Sequence, residues 1–111
     1  MPELNVSCLA LCTLGLQDYE FETYTILLNN GPMAVNDLKE ALNKSRPTAQ
    51  RILGQLLNRG LVYRKRKTFL NGGYVYVYEA IPMERFKDKM KENLKNWYER
   101  SIKIIENIPV K

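Results

Sequence analysis

Between Ala41 and Tyr78 the chain carries Lys44, Arg46, Arg51, Arg59, Arg64, Lys65, Arg66 and Lys67, and no Asp or Glu. Taking those eight from the 17 Lys and Arg leaves nine, against 12 Asp and Glu, so this stretch holds all of the excess charge of +5 and the remainder is mildly acidic. Cations gathered without counter-charges make a local positive field, and nucleic-acid phosphate is the polymer such a field most often meets. Residue types within the stretch divide the work. The guanidinium fork of Arg51 matches the two acceptors on the major-groove edge of guanine, and the amide of Gln50 matches adenine. Ser45, Arg46 and Thr48 cluster at an expected helix start, where free N–H groups and hydroxyls suit a phosphate. Arg64, Arg66 and Lys67 suit backbone phosphates or the minor groove.

Other chemistries find little to work with. The chain has no histidine, which removes the commonest general base and metal ligand. It has no Gly-rich phosphate loop, nucleophile elbow or spaced carboxylate motif. No enzyme activity, cofactor or metal is expected. Cys8 and Cys12 lie four apart, a spacing that shares one helix face but is not a thioredoxin motif, and two thiolates cannot close a tetrahedral zinc site. They are expected to be buried thiols acting as small hydrophobes, with redox or metal use, through a dimer, as the alternative. The apolar run Val6 to Leu16 is too short to span a bilayer. Glu3 before it argues against a signal peptide, so a cytoplasmic protein is expected, with this run packed into the core.

With 111 residues, 45% hydrophobic and 26% charged, the chain suits one compact domain and a projecting element. A helix is predicted over Asp18–Asn29, with acidic residues in its first turns and a Gly31-Pro32 stop. A shorter one is predicted from Asp37 to Leu42, capped by Asn36. A third is predicted over Arg46–Arg59, with Ser45 as cap, Pro47 in the first turn and Gly60 after its end. Its buried face is Ala49, Ile52, Leu53 and Leu56; Pro47, Gln50, Arg51, Gly54 and Asn58 turn outward. A Glu at Thr48 would complete a capping box but repel DNA. Leu61–Leu70 and Tyr74–Ala80 read as strands joined by Asn71-Gly72-Gly73, which makes a hairpin with a basic strand. Tyr74, Tyr76 and Tyr78 are expected to pack a strand face over the helices, with base stacking as the alternative. A long helix is predicted from Met83 to Ile108. Phe86, Met90, Leu94, Trp97, Ser101, Ile104 and Ile108 step along it by threes and fours, close to a heptad seam. At about 1.5 Å per residue this helix outruns a small domain's own core, so the seam is expected to pair with a second copy rather than fold back.

Helix, helix, turn, helix and basic hairpin is the order of a winged helix-turn-helix, an α+β fold that is mostly α. The division expected is a winged-helix unit with N-terminal extension over 1–82 and a dimerisation helix over 83–111. The run from Leu14-Gly15-Leu16 and Tyr19-Glu20 through Gly31-Pro32, Ser45 and Gly60-Leu61-Val62 to Tyr78, Ala80 and Pro82 resembles the DNA-binding domain of archaeal TrmB-type regulators. It resembles still more the short, single-domain Lrs-like (MarR-like) regulators of crenarchaea. The resemblance covers about Leu11 to Ile108. It implies a transcription regulator that binds double-stranded DNA and dimerises through its terminal helices. The sugar-binding domain of full-length TrmB proteins is not expected here. Two other uses of the same fold stay open: a protein-assembly module, and an architectural chromatin protein with little sequence preference.

Overall fold

The computed structural model describes residues 4–111. The chain runs α1 (Val6–Leu14), α2 (Asp18–Asn30), β1 (Met33–Ala34), α3 (Val35–Leu42), α4 (Arg46–Asn58), β2 (Val62–Thr68), β3 (Tyr74–Ala80) and α5 (Met83–Glu106). The strands form one antiparallel sheet in the order β1-β3-β2. This is the expected mostly helical α+β winged helix.

The local reasons are visible at the helix ends. The Ser45 hydroxyl accepts from the Thr48 N–H at 3.3 Å, which satisfies one of the open donors of α4. After α4, Gly60 takes φ +70, a conformation that costs a residue with a Cβ. The turn lets the Leu61 N–H reach the Leu56 carbonyl at 3.0 Å, and Leu61 drops into the core fully buried. Buried side chains of α2, α3, α4 and the inner sheet face meet there: Tyr24 and Leu27, Leu38, Ile52, Leu53 and Leu56, Val62, Tyr78 and Ala80.

Four expectations need correction. The second helix starts at Val35, and Asn36 does not cap it. The preceding Met33 and Ala34 pair with Tyr78 and Val77 of β3, so the strand delivers the chain directly into the helix. The Ala34 N–H is met by Asp37 at 3.4 Å. Phe86, placed in the seam between copies, is instead fully buried in the chain's own core. Its ring stacks on Tyr24 at 4.5 Å and meets Phe21 edge-on at 5.8 Å. The Tyr24 hydroxyl donates to the Ile81 carbonyl at 2.7 Å, which pins the start of α5. The apolar stripe of α5 therefore spends its first turn on its own domain. Of the three β3 tyrosines only Tyr78 is in the core; Tyr74 and Tyr76 are exposed. Finally, the thiols are not both buried: Cys8 is half-buried and Cys12 exposed. Desolvation, then the neighbouring Cys12, pushes the Cys8 thiol above its ordinary pKa.

The N-terminal apolar run is a helix laid along α5, where Asn93 donates to the Thr13 carbonyl at 3.0 Å. Beyond that contact α5 projects. The molecule measures 74 × 26 × 24 Å with a radius of gyration of 18.0 Å, against about 13 Å for a compact chain of this length.

Candidate nucleic-acid interface

The outer face of α4 follows from its period. Ala49, Ile52, Leu53 and Leu56 are buried, so Pro47, Arg51, Gly54 and Asn58, spaced by four, three and four, line the opposite side. Gly54 is half-buried among its helix neighbours and the others are exposed. A Cβ on Gly54 would meet nothing within 4 Å. No contact among the described residues therefore requires a glycine here, although glycine weakens a helix interior by about 1 kcal/mol relative to alanine.

Both flanks of this line are tied to neighbouring elements. On the wing side, Gln50 donates to the Tyr78 hydroxyl at 3.3 Å and Arg46 donates to Asn36 at 3.2 Å. On the α2 side, the Tyr19 hydroxyl donates to Gln55 at 3.2 Å, and the Arg51 guanidinium lies 5.8 Å from the Tyr19 ring centroid. Ser45 and Thr48 bond to each other at the start of α4.

The wing sorts its cations by the period of two. Register pairs Arg64 with Tyr78, Arg66 with Tyr76 and Thr68 with Tyr74. These residues share the sheet face that is buried at Val62 and Ala80, and that face comes out into solvent toward the hairpin tip. There the guanidinium of Arg64 sits 4.3 Å from the Tyr76 ring and that of Arg66 sits 3.9 Å from the Tyr74 ring. Such cation–π contacts hold two flexible arginines in fixed positions. A concave space of about 260 Å³ between α4 and the wing is lined by Asn36, Arg46, Gln50, Arg64, Tyr76 and Tyr78, among others.

Not every predicted site residue joins this surface. Lys67 faces Val75 on the other side of the ribbon, with Lys65 and Tyr63. Lys65 is paired with Glu79 at 3.6 Å. Chiefly through the neighbouring Glu79 carboxylate, the Tyr63 phenol is pushed above its ordinary pKa. Arg59, part of the basic stretch, serves the fold. Its Nε lies 3.4 Å from the buried Glu20 carboxylate and its Nη1 donates to the Leu14 carbonyl. Lys44, Arg46, Arg51, Arg64, Arg66 and Lys67 make no ion pair among the described residues. Tyr74 and Tyr76, expected over the helices with base stacking only as the alternative, lie on this surface, and Asn36, expected as a helix cap, lines it too. Alternation with the buried Val62 and Ala80 was the signal that ties the two tyrosines to Arg64 and Arg66; nothing local marks Asn36.

A three-helix unit whose last helix turns an acid-free face outward beside a basic hairpin defines the winged helix-turn-helix class of DNA-binding regulators. The chain aligns over 98% of its length with a possible transcriptional regulator from Methanosarcina mazei, covering 92% of that chain with TM-score 0.84 at 20% identity. S. aureus MepR, in a mutant form bound to an oligodeoxyribonucleotide, shares the fold with TM-score 0.57 at 16% identity, over 89% of this chain and 70% of that one. An uncharacterized protein of Methanocaldococcus jannaschii is 39% identical over 100 residues, covering 90% of this chain and 76% of its own length. Residues 11–84 match the family described as sugar-specific transcriptional regulator TrmB, and the chain belongs to that family. By that family it is a DNA-binding transcription regulator. No helix among the described residues is long and apolar enough to cross a membrane.

Proposed function

We propose that the protein acts as a homodimer that binds duplex DNA at paired half-sites and reads their sequence. In this reading the outer face of α4 enters the major groove, with Arg51 and Gln50 on base edges. Ser45, Arg46 and Thr48 meet phosphates at the helix start, and Arg64 and Arg66 follow the backbone into the adjacent minor groove. Lys67, on the far face of the ribbon, contributes to the field rather than to the docking surface. One observation carries the reading: Arg46 and Gln50 of α4 and Arg64 of the wing line one concave space, Arg66 shares the sheet face of Arg64, and none of these arginines is paired with a carboxylate among the described residues. A solvated charge run has no reason to converge in this way.

Dimerisation is supported by what α5 leaves bare. Leu94, Trp97 and Ile104 are 45 to 69% exposed along one seam of α5, Ile108 is 59% exposed just past the end of the helix at Glu106 rather than on it as expected, and Met90 is half-buried against the core. Water around so long an apolar stripe favours a second copy across it. The chain then divides into a reading unit over 1–82 and a coupling helix over 83–111.

The test is selection of bound sequences from a random DNA pool, with oligomeric state measured by light scattering. The expected outcome is a dimer that enriches a two-fold symmetric site. Tight binding with no enriched sequence would make it an architectural protein. Negligible binding to random duplex at low salt would make the winged helix a protein-assembly module.

A further inference from the structure

The hairpin tip is an exposed apolar point beside the basic surface. Leu70 is 110% exposed and Phe69 48% exposed. The tip is braced: Phe69 N–H donates to the Gly73 carbonyl at 2.7 Å and Gly72 N–H to the Phe69 carbonyl at 3.0 Å. Gly72 holds φ +97, as a bulged hairpin loop requires. The Phe69 ring lies 3.8 Å from where a Cβ on Gly73 would stand, so it covers that backbone. Leu70 then sits at the first corner of a closed turn with nothing beneath it.

We propose that Leu70 is an apolar wedge that enters the minor groove of the bound duplex, opens one base step and bends the DNA. The proposal rests on the duplex-binding reading above. Charge decides the occupant. The strand that leads to the tip carries Arg64, Arg66 and Lys67, no acidic residue lies between Ala41 and Tyr78, and Glu79 at the far end is occupied by Lys65. An apolar tip on so cationic a ribbon is matched to a polyanion with an apolar interior, which stacked base pairs provide. Reach agrees. The strand runs two residues past Arg66 to Thr68, about 7 Å at ~3.3 Å per residue, and the turn closed between Phe69 and Gly73 carries Leu70 further out. With Arg66 on a phosphate at the rim, the tip extends past the ~7.5 Å depth of the minor groove. Leu is among the side chains that unstack base steps in this way. Pyrimidine–purine steps open most easily, so the wedge adds a preference for TA or CA at a position where no hydrogen bond is made to a base.

The experiment uses the full chain, a duplex carrying its selected site, 2-aminopurine at successive steps within reach of the wing, and a dye on each end. Wild type is expected to raise 2-aminopurine fluorescence at one step and to shorten the end-to-end distance, as a bend of at least about 20° requires. Leu70→Ala, a change at an exposed site, is expected to abolish the fluorescence rise and most of the bend, with affinity reduced no more than about tenfold, as befits loss of a shape term rather than of phosphate contacts. Leu70→Met is expected to restore both signals. Tight wild-type binding with no unstacked step, or an unchanged bend in Leu70→Ala, overturns the wedge and leaves the duplex-binding reading standing. Loss of dimer in Leu70→Ala would assign the tip to a second copy instead and also overturn it. No wild-type binding to any duplex would sink the duplex-binding reading itself.

Discussion

Arg51 and Arg66 carry the same guanidinium into different surroundings, and their surroundings predict different losses. Arg51 is exposed at the middle of the outward line of α4, with only a loose 5.8 Å contact to Tyr19. Its fork is free to pair with a base, and a bidentate pair with guanine discriminates by about 1–3 kcal/mol. Arg51→Ala is expected to flatten preference at one base pair of each half-site while the salt dependence changes little. Arg66 is stacked 3.9 Å from Tyr74 on a strand that flanks the helix. Arg66→Ala is expected to weaken all duplexes alike and to lower the slope of log affinity against log salt by about 1 per site. Fluorescence anisotropy titrations on matched and mismatched sites at several salt concentrations separate the two. The outward placement of Arg51 was legible from helical phase alone. The split of the wing cations was legible too, since a strand alternates, but only once Val62 and Ala80 fix which face is inward. Arg59 was not: its partner Glu20 is distant in sequence, and only the packed fold brings that buried carboxylate within 3.4 Å.

At the scale of elements, α4 holds a residue that its own stability does not favour. Gly54 has open space where a Cβ would go, so Gly54→Ala is expected to raise thermal stability, by about 1 kcal/mol of helix propensity. The same methyl would stand between the helix backbone and the groove, so DNA affinity is expected to fall. A calorimetric scan and a binding titration on one preparation check both signs; higher stability with unchanged affinity would mean the backbone does not approach DNA closely at Gly54. The junction of α2 with α5 gives a pH-dependent test. Burial pushes the Tyr24 phenol up to about 12 from 10. The folded state thus favours the protonated form. This stability is fully present below pH 10 and is lost as pH rises toward 12. Chemical denaturation at stepped alkaline pH is expected to show that loss in wild type and less of it in Tyr24→Phe. Below pH 10 the variant is expected to be weaker by about 1 kcal/mol, the usual net worth of a hydrogen bond. The elements that were legible in sequence carry their own punctuation: Ser45 and Pro47 open α4, Gly60 closes it, and Asn71-Gly72 turns the wing. β1 and the start of α3 were not legible. A two-residue strand is defined by its partner Tyr78–Val77, and Ala34 offers no capping side chain to announce the helix.

At the scale of the whole molecule, the long axis of 74 Å comes from a helix whose distal half has no core beneath it. Sequence periodicity showed the stripe but could not tell where it changes duty. Phe86 belongs inside because Tyr24 and Phe21 close over it, whereas Leu94 and Trp97 lie past the main core, in an open groove beside α1 with Leu9 and Cys12. Trp97 is 58% exposed in the single chain, so Trp97→Asp leaves the monomer's core untouched. Placed in a pairing seam, its carboxylate would be desolvated without a partner. Light scattering is therefore expected to report a monomer, with an unchanged far-UV spectrum. DNA binding should then separate into its parts. Affinity for a single half-site should hold, because α4 and the wing are intact. Affinity for the paired site should fall by about 10²–10⁴, the advantage that linking two reading units confers. A Trp97→Asp protein that stays dimeric, or that loses half-site and paired-site binding equally, would place the joint between copies on some other face.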